Sequence, residues 1–171
     1  MKRVVYGGGS YSDLYHGLSL AQLVTVINSN TLSSRHHPAV CMTRSPRFAK
    51  EFLNSQKPRN ISKIRCVLVL DKEAMSSNYK IEPVSDYMNM LDIPGKDEPE
   101  YDEYAKSVKK RISARYRGDE FNKAEERCYT PIKAVSKYIK KILISNHITS
   151  FDEGNKILQD IEAEGFTVEL F

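Results

Sequence analysis

Lys63-Ile64-Arg65-Cys66-Val67-Leu68-Val69-Leu70-Asp71 is the stretch on which the fold turns. Cys66 to Leu70 is apolar at every position, with no alternation of polar residues. A strand with one wet face alternates, so this one is expected to be covered on both faces, with elements packed above and below it. The run is strand-sized and far short of the ~20 apolar residues that cross a membrane.

Working upstream, Ser45 offers a helix N-cap and Pro46 suits the first helical position, with Phe48, Ala49, Phe52 and Leu53 forming one apolar face. Ala39 to Thr43 reads as a short strand entered through Pro38. Ser19-x-x-Gln22 is a capping box, and Leu20, Leu23, Val24 and Ile27 follow at helical spacing. Downstream, Tyr79-Lys80-Ile81, Arg127 to Tyr129 and Lys141 to Ser145 have strand character. Ser150-x-x-Glu153 reads as a second capping box, opening a helix with Ile157, Leu158 and Ile161 inward and Gly165 at its end. Phe166, Val168 and Leu170 alternate with polar residues as a last half-buried strand.

Charge is segregated between these elements. Asp86 to Tyr104 holds seven acids against Lys96 alone, net −6, and its Pro94-Gly95 and Pro99 make it a loop. Lys106 to Arg117 holds six bases and no acid, with Tyr104, Val108 and Ile112 on one helical stripe. This reads as a helix with a basic outer face, either simply solvated or a contact for phosphate or an acidic partner. The expected fold is a mixed α+β domain with an insertion near residues 84–118.

A length of 171 residues suits a single domain, 1–171, able to bury a real core. Hydrophobic residues at 40% and charged residues at 28% exclude disordered and fibrous classes. Met1 to Tyr6 runs straight into Gly7-Gly8-Gly9, so no signal-peptide apolar region forms, and a soluble cytoplasmic chain is expected. Cys41, Cys66 and Cys128 are odd in number and in no metal-ligand spacing, so buried free thiols in a reducing compartment are expected. The net charge of +4 permits a nucleic-acid or acidic-protein partner without requiring one.

Three short constellations could carry chemistry. Tyr15-His16-Gly17 ends a strand-like segment; the histidine either bonds backbone or serves a ligand that the bare glycine lets approach. Cys41-Met42-Thr43-Arg44-Ser45-Pro46 runs a strand into a helix start, which is ordinary capping or a place for phosphate or ribose. Glu125-Glu126-Arg127 enters a strand, where adjacent carboxylates point to opposite faces, so at most one can face a cleft and the other is solvated or paired with a base. His36-His37 lacks a third ligand in suitable spacing, so no metal is expected.

Taken in order, these segments resemble the ADP-ribosyltransferase superfamily, particularly its small bacterial and phage members. The matching stretches are Leu14-Tyr15-His16-Gly17-Leu18-Ser19, Val40 to Pro46, and Ala124-Glu125-Glu126-Arg127-Cys128-Tyr129, with Leu68 to Asp71 and Asn78 to Pro83 similar to the family's middle section. The resemblance implies an α+β fold with a split, two-sheet core and NAD in the cleft as substrate. It implies that Tyr15, His16 and Gly17 hold NAD, His16 at the ribose hydroxyls and Gly17 at the nicotinamide amide. Thr43 and Ser45 would brace the catalytic strand, Arg44 would meet the phosphates or the acceptor, and Glu125 or Glu126 would be the catalytic carboxylate. Departures are Leu18, where a small hydroxyl residue is usual, and the absence of a Glu-x-Glu pattern.

The expected activity is mono-ADP-ribosyl transfer from NAD to a macromolecular acceptor, protein or nucleic acid, by an effector or toxin of bacterial or phage type. Lys109, Lys110, Arg111 and Arg115 are the expected acceptor contacts. A non-catalytic binding or inhibitor protein of the same fold is the alternative, and a ribonuclease using His16 with His36 or His37 a third.

Overall fold

The central strand forms where its apolar run lies, at Arg65–Leu70, and the computed structural model describes residues 13–34, 39–44, 46–54, 56–84 and 125–171 around it. The elements in chain order are β1 (Leu14–Ser19), α1 (Leu20–Ser29), β2 (Thr31–Leu32), β3 (Val40–Thr43), α2 (Pro46–Leu53), β4 (Arg65–Leu70), α3 (Lys72–Ser76), β5 (Glu82–Val84), β6 (Glu125–Cys128), β7 (Ile132–Lys133), β8 (Ile139–Ile144), α4 (Gly154–Ala163) and β9 (Val168–Leu170). The insertion expected near 84–118 and its basic helix, with Lys109, Lys110, Arg111 and Arg115, lie outside the described residues from 85 onward, as do His36, His37 and Ser45. Among the described residues no helix is long and apolar enough to cross a membrane.

Both faces of β4 are covered, as its lack of alternation requires. Cys66, Leu68 and Leu70 pack with Leu14, Leu18, Leu23, Ile142 and Ile161 in the main core. Val67 and Val69 pack on the other face with Ala49 and Leu53 of α2 and with Leu143. Each such side chain contributes about 1.5–3 kcal/mol by leaving water, which makes β4 the organising element. The expected free thiols are all unbridged, Cys66 and Cys128 buried but Cys41 only partly so; burial pushes the Cys66 thiol up to about 12, so it is a packing group.

A seven-stranded sheet runs β5-β6-β3-β1-β4-β8-β9, and β2 pairs with β7 in a small second sheet. All neighbours in the large sheet are antiparallel except β8 and β9, which are parallel and joined through α4. The sheet is divided near its middle. β1 pairs with β4 along its whole length, from Leu14↔Leu70 to Ser19↔Arg65. With β3 it registers only at Tyr15↔Thr43. One half is therefore β5-β6-β3 and the other β1-β4-β8-β9, hinged at one residue pair. The split core expected from the resemblance takes this form.

Several local expectations shift. The Ser19 capping box is present, with Ser19 N donating to Gln22 Oε1 at 2.8 Å and Gln22 N to Ser19 Oγ at 3.3 Å. Val24, however, is 41% exposed, while Val26 takes the inward place at 7%. The Tyr79–Ile81 strand does not form. Tyr79 instead closes the turn after α3, its ring meeting Tyr138 edge-on at 5.9 Å and its hydroxyl accepting from Lys133 N at 2.8 Å, and the strand begins at Glu82. The late strands begin earlier than expected, at Glu125 and Ile139, and Tyr129 is left exposed beyond β6.

The second capping box is absent. The Ser150 hydroxyl donates back to His147 O at 2.7 Å within a 3-10 turn, and α4 starts only at Gly154. A Cβ on Gly154 would sit 2.1 Å from the Ile148 carbonyl oxygen, so only glycine lets the helix start against that turn. β9 lies at the sheet edge, so Leu170 is 42% exposed where an inward residue was expected.

Candidate active site

The parting of the sheet carries the first of the candidate side chains. Beyond Tyr15↔Thr43 the strands are no longer in register, and the His16 ring bridges them, its Nδ1 2.8 Å from the Cys41 carbonyl oxygen. A carbonyl only accepts, so Nδ1 carries the hydrogen and the neutral ring presents Nε2 as an acceptor. Burial of the ring lowers the His16 pKa below the usual 6.5, with the Cys41 bond opposing more weakly. The acceptor at Nε2 thus persists at neutral pH, which suits a donor such as a sugar hydroxyl.

This has a consequence for stability. The folded state resists a proton that the unfolded chain takes up at about 6.5, so the His16 contribution is complete above that value and is lost as pH falls towards the folded pKa. Denaturant midpoints of the wild type and His16→Asn, measured on both sides of pH 6.5, are expected to converge on the acid side. A constant difference would contradict it.

Strand register sorts the remaining residues into two columns. Tyr15 lies opposite Thr43, and Thr43 opposite Glu125, so positions 15, 43 and 125 fall in line across β1, β3 and β6. Thr43 is buried, and Tyr15 packs on the α2 side of the sheet, where burial foremost, and then the Asp13 charge, raise its phenol above the usual 10.0. Gly17 shares this side two residues along β1. A Cβ at Gly17 would stand 3.0 Å from the Phe52 ring, so its lack of a side chain is what lets the ring lie over the strand. From Gly17 opens a groove of about 700 Å³, lined by Gly17, Leu18, Ser19, Gln22, Phe52, Gln56, Pro58, Lys63 and Arg65.

The second column holds Met42 and, opposite it, Glu126, and alternation along β1 puts His16 on this side, with Leu14 and Leu18. Glu126 is 1% exposed; its Oε1 accepts from Lys72 Nζ at 2.6 Å and stands 3.0 Å from Arg44 Nε in an ion pair that lacks hydrogen-bond alignment. Arg44 follows β3 directly, while Lys72 opens α3, a helix that Asp71 caps by accepting from Ala74 N at 3.0 Å. The sequence expectation that one of two adjacent carboxylates would be paired with a base falls on Glu126.

The strands bearing Tyr15-His16-Gly17, Thr43-Arg44 and Glu125-Glu126 are therefore neighbours, in the order β1, β3, β6. Sequence reasoning missed Lys72, Phe52, Lys63 and Arg65. Phe52 was legible only as an apolar helix position. Lys72 could have been sought behind the Asp71 cap, but nothing local marks its partner.

Likeness to solved structures shows an ADP-ribosyltransferase-like fold. No protein-family model and no curated protein matches its sequence. Among solved structures it is similar to Thermus sp. 2.9 DarT in complex with ADP-ribosylated ssDNA, with a TM-score of 0.51 and 15% identity over 100% of this chain and 98% of that one. DarT from the same organism in complex with NAD+ is similar at a TM-score of 0.48 and 13% identity, over 95% of this chain and 96% of that one. The complex with carba-NAD+ stands at 0.49 and 16%, over 96% and 97%. Identity this low carries the fold and assigns no residue a role.

Proposed function

We propose that this protein transfers ADP-ribose from NAD to a single-stranded nucleic acid. The observation that carries the reading is the meeting, at one parting of the sheet, of the His16-Gly17 strand with the Thr43 and Glu125 strands. The neighbouring fold of DarT, solved in complex with ADP-ribosylated ssDNA, supports the nucleic-acid acceptor over a protein one.

In this reading NAD lies along the parting. The ribose sits in the gap itself: His16 Nε2 accepts from one of its hydroxyls on the core side of the sheet, the positions of Tyr15, Thr43 and Glu125 fall on the α2 side, and the Gly17 backbone receives the nicotinamide amide. The bond between C1′ of the ribose and the nicotinamide nitrogen breaks, and its electron pair leaves with neutral nicotinamide. Positive charge grows on the sugar, and a carboxylate held beside it lowers the barrier. The acceptor's nucleophilic atom supplies the new electron pair to C1′ and loses its proton to that carboxylate. Glu125 is the residue we assign to this task. Glu126 is buried with two cations on one oxygen, whereas Glu125 stands in line with Thr43 and Tyr15. Tyr15 and Thr43 flank the sugar, and Arg44, just beyond the end of β3, meets the phosphates.

The test is NAD itself. A ligand that binds only the folded chain stabilises it by about 2.7 kcal/mol at a hundred times its Kd, so NAD is expected to raise the melting temperature, and labelled NAD to mark an added oligonucleotide with release of nicotinamide. Stabilisation without nicotinamide release would favour a non-catalytic binding protein of the same fold. Neither stabilisation nor release would end the transferase reading.

A further inference from the structure

The groove that opens at Gly17 has a wall unlike the rest of the site. The Arg65 guanidinium lies over the Phe52 ring, 4.4 Å from its centroid, and Phe52 in turn covers Gly17. Arg65 and Lys63 are exposed and line the same groove, with Gln56 beside them. The surrounding segment is basic. Residues 50–65 hold Lys50, Lys57, Arg59, Lys63 and Arg65 against Glu51 alone, net +4, equal to the net charge of the whole chain. Two more of these cations rest on aromatic rings, Lys57 over Phe151 at 5.4 Å and Lys50 over Phe171 at 5.5 Å.

Flat cationic and aromatic faces beside an exposed lysine are what unpaired bases and their phosphates need. A base has a π-face that stacks on a guanidinium plane whatever its identity, and a neighbouring ammonium meets the backbone charge. A duplex hides those faces, and an acidic protein has charge without them. We propose that this groove seats one nucleotide of a single-stranded nucleic acid, its base against the Phe52–Arg65 stack and its phosphate at Lys63. The inference rests on the transferase reading only in making that strand the acceptor. The groove starts at Gly17, so a nucleotide seated there is delivered beside the parting of the sheet.

The experiment measures binding of a fluorescent single-stranded DNA oligonucleotide to the full chain by anisotropy across a salt series. Lys63→Ala/Arg65→Ala alters two exposed side chains, so folding is not at stake. It is expected to weaken binding about tenfold and to make the logarithmic salt dependence shallower by about one phosphate contact. Arg65→Lys keeps the charge but not the plane, and is expected to lose affinity while retaining the salt slope. Unchanged affinity in the double variant would overturn the site. So would equal binding of duplex DNA, or displacement of the oligonucleotide by polyglutamate as readily as by unlabelled strand. Melting shifts with NAD, run in parallel, separate the two readings. NAD stabilisation with variant-insensitive oligonucleotide binding removes the groove and leaves the transferase. Variant-sensitive binding without NAD stabilisation leaves the groove and removes the transferase.

Discussion

Glu126→Gln is expected to lower the free energy of unfolding by about 3 kcal/mol, a large share of the roughly 5–15 kcal/mol that holds a domain together. The cause is what stays behind. Lys72 and Arg44, 13% and 18% exposed, converge on one carboxylate oxygen of a residue that is 1% exposed. A neutral amide takes away the carboxylate that both cations face while they stay largely desolvated, and that penalty, rather than the net worth of the ion pairs, sets the size of the effect. Lys72→Met is expected to cost less, because Arg44 remains on Glu126 and the methionine still packs. Urea unfolding at neutral pH separates the two variants. A loss of under about 1 kcal/mol in Glu126→Gln would mean that the carboxylate finds water, contrary to its burial.

The second large effect falls on the neighbouring residue and on activity. Glu125→Gln preserves size and removes the negative charge, so it is expected to lower kcat for nicotinamide release at least a hundredfold while changing KM for NAD by only a few-fold. The split follows from chemistry. Bound NAD carries no new charge at the sugar, whereas the transition state does, so the missing carboxylate is felt mainly there. The contrast between adjacent residues is the diagnostic result: position 126 governs the melting temperature, and position 125 governs turnover in a chain that still melts normally. Full turnover in Glu125→Gln would remove it from the reaction. If the chain acts as a toxin in bacteria, the same substitution relieves growth arrest on expression.

Much of the architecture was legible before any coordinates, where the signal is local or where burial leaves no choice. The apolar run from Cys66 to Leu70 dictates a strand covered on both faces. Ser19 and Gln22 start α1, and Pro46 opens α2, through groups within one helical turn. The readings that shifted were those in which a local pattern met a tertiary competitor. Ser150 found the His147 carbonyl instead of a helix end, and the Tyr79 hydroxyl found Lys133.

By itself, then, the sequence determined the central strand, the main helices and the order in which His16-Gly17, Thr43-Arg44 and Glu125-Glu126 occur along the chain. Tertiary structure alone decided which carboxylate is closed off by cations. Lys72 and Glu126 are 54 positions apart and meet at 2.6 Å only because β6 pairs with β3 in one particular register. A slip of one residue would exchange the faces of positions 125 and 126, and no signal inside the Glu-Glu pair sets that register. The groove at Gly17 is of the same kind: Phe52, Lys63 and Arg65 are unremarkable where they stand in the chain, and acquire meaning when α2 and β4 bring a ring, a guanidinium and a bare backbone together.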